Sequence, residues 1–110
     1  MEEIKKYYYS NGRLWTEEHY FNGELHRENG PAYINYYENG QMENEEYYVD
    51  GKLHKENGPA YITYHKNGEK ALEEHWIKGE KHCEDGPAEI RYNEDGSTRR
   101  KLYYLHGELD

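Results

Sequence analysis

One period governs this chain. The tripeptide Gly-Pro-Ala stands at Gly30-Pro31-Ala32, Gly58-Pro59-Ala60 and Gly86-Pro87-Ala88, each copy 28 residues after the last. The eleven glycines keep the same register, with spacings of 11, 7 and 10 residues that recur in order. A period of this length makes each copy one small supersecondary unit that buries its apolar face only against its neighbours. The chain therefore divides into a partial unit at 1–19, units at 20–47, 48–75 and 76–103, and a further partial unit at 104–110, all in one repeat domain.

The turn chemistry says what the unit is. Asn11-Gly12, Asn22-Gly23, Asn39-Gly40, Asp50-Gly51, Asn67-Gly68 and Asp95-Gly96 are pairs that tolerate the positive φ of tight hairpin turns. Between them side chains alternate with period two, so that Ala32, Ile34 and Tyr36 share one face of an extended run. Pro31, Pro59 and Pro87 each open such a run, where a missing N–H does least harm. The spacing predicts antiparallel strands over roughly 31–37 and 41–49, with equivalents one period on. The expected fold class is all-β: an elongated antiparallel β-hairpin repeat of about four units, spanning on the order of 40 Å at ~4.8 Å per strand.

Recurrence within the chain separates scaffold from the rest. Ile34, Ile62 and Ile90 form one column and Tyr36, Tyr64 and Tyr92 another, joined by Gly30, Gly58, Gly86 and their prolines as structural positions. On the opposite face the residues change from copy to copy, as at Tyr33 and Tyr61 against Glu89, or Tyr37 and His65 against Asn93. Positions that the scaffold leaves free are where specificity can be written, and Tyr, His and Asn suit binding surfaces. Tyr33, Tyr61, Tyr37 and His65 are therefore candidate partner-binding residues.

Two acidic columns, Glu17/Glu45/Glu73 and Glu18/Glu46/Glu74, complete the candidate surface, and the last copy replaces them with Lys101 and Leu102. Copies related by translation share one environment, whereas a catalytic carboxylate pair needs two different ones. These six glutamates read as a solvated acidic face or as a docking stripe for a partner with a basic surface. The column His26, His54 and His82 cannot converge on one metal, because equivalent side chains lie ~10 Å apart. It is expected to hydrogen-bond at the short turn. Cys83 stands where other copies have Arg27 and Lys55, so nothing marks it as a nucleophile. No catalytic residue, metal or cofactor is expected.

Charge and composition bound the partner. With 14 basic against 23 acidic side chains, the net charge of −9 argues against direct nucleic-acid binding. A mean hydropathy of −1.44 alone would suggest disorder. The 14 tyrosines oppose that, since each buried ring removes ~150–250 Å² from water. One cysteine suits a reducing compartment. The opening Met-Glu-Glu-Ile-Lys-Lys lacks the apolar stretch of a signal peptide, and no run reaches the ~18 apolar residues of a membrane span. The expected location is the cytoplasm, with no membrane role.

Tyr36-Tyr37-Glu38-Asn39-Gly40 and the segment from Gly51 through Leu53-His54-Lys55-Glu56-Asn57 to Ala60 resemble MORN-variant repeats. That family has a Tyr-Tyr-x-Asn-Gly hairpin core, and many bacterial members are YwqK-type antitoxins. The Leu-His-Arg/Lys-Glu-Asn-Gly-Pro-Ala form is closest in style to members from phages and giant viruses. The resemblance covers essentially the whole chain and implies a hairpin-repeat fold. The unit here is longer than the standard one and its glycines are sparser, so the membrane roles of some eukaryotic members are not carried over. The resulting expectation is a non-enzymatic protein-binding module acting by occlusion, such as a phage-encoded inhibitor of host defence working in the host cytoplasm, or an antitoxin-like protein. The alternatives are a structural module that self-associates into homo-oligomers and an acidic nucleic-acid mimic.

Overall fold

The computed structural model describes residues 1–109 and is all-β, with no helix among them. The first hairpin is β1 (Glu2–Tyr8) with β2 (Leu14–Phe21), followed by the short β3 (Glu24–Leu25). The unit then recurs as β4 (Tyr33–Tyr36), β5 (Met42–Glu46), β6 (Tyr48–Val49) and β7 (Lys52–Leu53). Next come β8 (Tyr61–Tyr64), β9 (Lys70–Glu74), β10 (Trp76–Ile77) and β11 (Glu80–Lys81). The last set is β12 (Glu89–Tyr92), β13 (Thr98–Leu102), β14 (Tyr104–Leu105) and β15 (Glu108–Leu109). The longer strands make one open antiparallel sheet in the order β1-β2-β4-β5-β8-β9-β12-β13, with β3 also on β2. The remaining short strands pair as separate hairpins, β6-β7, β10-β11 and β14-β15.

Two kinds of turn alternate. At the first, Tyr9, Tyr37, His65 and Asn93 each donate their N–H four residues on, and the side-chain oxygen of Asn11, Asn39, Asn67 or Asp95 accepts the N–H two residues on. A register shift accompanies every one of these turns, between Tyr7/Tyr8, Asn35/Tyr36, Thr63/Tyr64 and Arg91/Tyr92. The second kind is a two-residue turn with both residues at positive φ: Asp50 at 51° and Gly51 at 79°, for example. Lys78 and His106 take the same conformation at 50° and 49° where other copies have Asn or Asp. The pairing has fixed the backbone there against the residue's own preference.

The expected strand over 41–49 is interrupted. Tyr47 gives its N–H to Ala60 and its carbonyl to the N–H of His54, so the chain leaves the main sheet there and resumes as β6. The 31–37 strand is likewise trimmed to Tyr33–Tyr36. Only β2 runs unbroken, because β1 pairs with it from Glu2 opposite Phe21 to Tyr8 opposite Leu14. Where later copies place Gly-Pro, β1 has Glu2-Glu3, whose backbones can extend the ladder.

The slab measures 43 × 37 × 18 Å. Its apolar core is thin: Ala32, Ile34, Ala60, Ile62 and Ala88 are the buried hydrophobic residues. Thr16, His19, Asn44, His82 and Glu89 are buried beside them, and every buried side-chain polar atom among the described residues has a hydrogen-bond partner. A chain with this mean hydropathy folds because its interior is largely a satisfied polar network. The description ends at Leu109, so Asp110, the last residue of the final partial unit, lies outside it.

Candidate functional site

Register lines the candidate residues into rows across the sheet. One row reads Lys6, Glu17, Ile34, Glu45, Ile62, Glu73, Ile90, Lys101, each opposite the next on the neighbouring strand. The next row lies on the opposite face and reads Lys5, Glu18, Tyr33, Glu46, Tyr61, Glu74, Glu89, Leu102. The two acidic columns therefore lie on opposite faces.

Neither column stands free in solvent. In the first, Glu17 meets His19 Nε2 at 2.6 Å, Glu45 accepts the Tyr64 hydroxyl at 2.9 Å, and Glu73 accepts Lys70 Nζ at 2.9 Å and the Tyr92 hydroxyl. In the second, the Tyr20 and Tyr48 hydroxyls reach Glu18 and Glu46, and Trp76 Nε1 reaches Glu74 at 2.9 Å. Burial raises the Glu46 carboxyl above its ordinary value, against the hydrogen bonds from Tyr48 and Asn44. Burial would also raise Glu73, but hydrogen bonds from Tyr92 and Lys70 outweigh it and hold that carboxyl low. At Glu89 the same contest goes to Lys81 and Arg91, 2.5 and 2.8 Å away.

Tyr33 and Tyr61 are half-buried between the second-row glutamates. Asn35 belongs to a hydrogen-bonded chain running from the Thr16 hydroxyl through Asn35 and Asn44 to Glu46. Tyr37 and His65 join successive units: the Tyr37 hydroxyl donates to the Tyr64 carbonyl at 2.6 Å, and His65 Nε2 meets the Tyr92 carbonyl at 3.1 Å. Tyr9 makes the equivalent bond to Tyr36, whereas Asn93 turns back to Ser97. The candidate surface residues thus also hold the array together.

The histidine column does bond at the short turn, but at that of the following unit. His26, His54 and His82 accept through Nδ1 the N–H of Asp50, Lys78 and His106, at 3.1, 2.9 and 2.9 Å. An accepting Nδ1 leaves the ring proton on Nε2, and in His54 and His82 that nitrogen faces the carboxylates of Glu56 and Glu84. Burial raises the Cys83 thiol, which moves it away from thiolate reactivity.

The tyrosine ladder makes the fold sensitive to alkali. Burial, then the hydrogen bond to Glu73, pushes the Tyr92 phenol up to about 12. Burial and the bonds to Glu46 and Glu45 raise Tyr48 and Tyr64 in the same way. A phenol raised above its unfolded value of about 10 contributes stability that is complete below that pH and is lost as pH climbs through the folded value. The urea midpoint is expected to hold up to about pH 10 and to fall steeply towards about 12. Tyrosinate absorbance that rises fully near pH 10 with the midpoint unchanged would show that these hydroxyls are not engaged.

Among the acids that face solvent, Glu28, Glu56 and Glu84 recur in every copy of the loop before Gly-Pro-Ala, 28 residues apart. The Glu56 and Glu84 side chains are 80% and 82% exposed. Successive loops flank open grooves; one is lined by His54, His75, Ile77, His82 and His106, with Glu56 and Glu84 among its walls. The column's spacing and its place before Asn-Gly or Asp-Gly are visible in the sequence, but its exposure is not. No protein-family model, curated protein or solved structure matches this chain. What fold and register define is a class: an open, antiparallel β-hairpin repeat protein.

Proposed function

We propose that the chain is a non-enzymatic protein-binding module that acts by covering a partner's surface. The observation that carries this reading is the exposed acidic column Glu28, Glu56 and Glu84 along one line of loops. A regular row of carboxylates ~10 Å apart on a chain of net charge −9 suits a partner with a basic surface, steering its approach and excluding competitors. The resemblance to MORN-variant repeats supports a narrower form of the proposal: a phage-encoded inhibitor of host defence acting in the host cytoplasm, or an antitoxin-like protein. The columns Glu17/Glu45/Glu73 and Glu18/Glu46/Glu74 set the shape of the sheet behind that row, while Tyr33 and Tyr61 offer half-buried rings to a partner.

The test is affinity capture of the tagged chain from the lysate of its host cell, run beside the Glu28→Gln/Glu56→Gln/Glu84→Gln variant across a salt series. The wild type is expected to retain one protein in stoichiometric amount. Three exposed charges at up to about 1 kcal/mol each should weaken the variant's affinity about tenfold and flatten its salt dependence. No retained protein, or a variant that retains it equally at every salt concentration, contradicts the proposal.

A further inference from the structure

The sheet's two edges carry cations in different settings. On β1, Lys5 and Lys6 lie opposite Glu18 and Glu17 of β2, and Lys5 also sits over the Tyr20 ring at 5.1 Å. Neither lysine is within ion-pair distance of an acid among the described residues, but each has a carboxylate as its cross-strand neighbour. On β13, Lys101 lies opposite Ile90 and Arg100 opposite Arg91, which is itself held by Glu89. Arg99, Arg100 and Lys101 are exposed and form no ion pair among the described residues. An acidic protein thus presents an unbalanced basic strand whose outer backbone groups lack a neighbouring strand.

The repeat specifies what a strand added there would meet. Inside the array the strand following β5 sets Tyr61, Ile62 and Thr63 opposite Glu46, Glu45 and Asn44. Just before them, Ala60 takes the N–H of Tyr47 at 2.7 Å, as Ala32 takes that of His19 and Ala88 that of His75. Tyr103 occupies the same position in the last unit, and its N–H has no acceptor among the described residues. A second copy of this chain is a poor occupant. In repeat register its Lys6 would face Lys101, and its Ile4 would enter the alanine column, where Ala32, Ala60 and Ala88 are 0% exposed.

We propose that the outer edge of β13 receives an extended acidic segment of another protein as an added antiparallel strand. Reading from its N-terminus, the segment places a small residue at the alanine position, an apolar residue opposite Leu102, and carboxylates opposite Lys101 and Arg100. Backbone hydrogen bonds supply affinity and the two carboxylates set the register. Only a polypeptide satisfies both the ladder and the charges, which separates this site from a phosphate-binding patch. The edge is distinct from the Glu28/Glu56/Glu84 column, so the two proposals stand or fall independently.

The test is fluorescence anisotropy with a labelled peptide carrying Ala-Val-Glu-Asp between threonines, titrated with the full chain. Binding is expected. It should weaken at least tenfold for the R100E/K101E variant, for a peptide with Lys-Lys in place of Glu-Asp, and for a copy of the acidic peptide N-methylated at the valine and glutamate. The N-methylated copy keeps every charge and leaves the protein unaltered, so its result does not depend on how the variant folds. Absence of peptide binding, equal binding of the N-methylated copy, or stronger binding of a single-stranded oligonucleotide of similar charge overturns the proposal.

Discussion

Replacing Ala60 with leucine is expected to be among the most damaging single changes, lowering stability by about 2–3 kcal/mol and the melting temperature by roughly 10 °C. Ala60 is 0% exposed and lies between two neighbours, its N–H bonded to Glu74 at 2.8 Å and its carbonyl accepting from Tyr47 at 2.7 Å. Both backbone bonds fix the Cα, so a larger side chain can be accommodated only by moving strands. The chain contains its own control. Ile4 stands in the same column on β1, where no strand lies beyond it, and it is 56% exposed. Ile4→Leu should change stability by no more than about 0.5 kcal/mol. Thermal unfolding followed by circular dichroism compares the two. Equal melting temperatures would mean that the alanine column is not the packed line described.

Giving the edges interior residues is expected to turn a finite array into one that stacks end to end. Glu and Ile alternate across the sheet from Glu17 to Ile90, and lysine stands at both ends, at Lys6 and Lys101. Two copies in repeat register would set these lysines opposite each other, which disfavours pairing. Ile4 adds a steric obstacle. The triple variant I4A/K6I/K101E removes both and restores a carboxylate, in the second copy's reach, for the Tyr8 hydroxyl. Glu45 serves Tyr64 in just that way. Light scattering should report masses climbing in multiples of 13.3 kDa as concentration rises. A variant that stays at that mass would show that other features of the edges limit the array.

The repeat and its strands were legible because glycine, proline and the aromatic columns all report one backbone. Less legible was how deeply each polar residue sits. Glu45 alternates like an outward-facing side chain, yet its partner Tyr64 lies 19 residues away on the next unit. His54 reaches 24 residues on to Lys78, and Tyr37 reaches 27 on to Tyr64. Reading one unit at a time hides bonds of this kind, because they join a unit to its successor. A signal was present: Tyr64 and Tyr92 each stand 19 residues after a column glutamate, Glu45 and Glu73, whose carboxylates accept their hydroxyls. The break at Tyr47 was hidden for a similar reason, since period-two alternation continues through it while its two backbone groups bond in different directions.

Two copies in repeat register would set Lys6 against Lys101 and Ile4 in the buried alanine column, so the chain is expected to meet a partner as a single copy. The most direct test is the mass of the purified wild-type chain by light scattering across a wide concentration series. A constant 13.3 kDa is the predicted result. A mass that rises with concentration would contradict it and identify the chain as a self-assembling module.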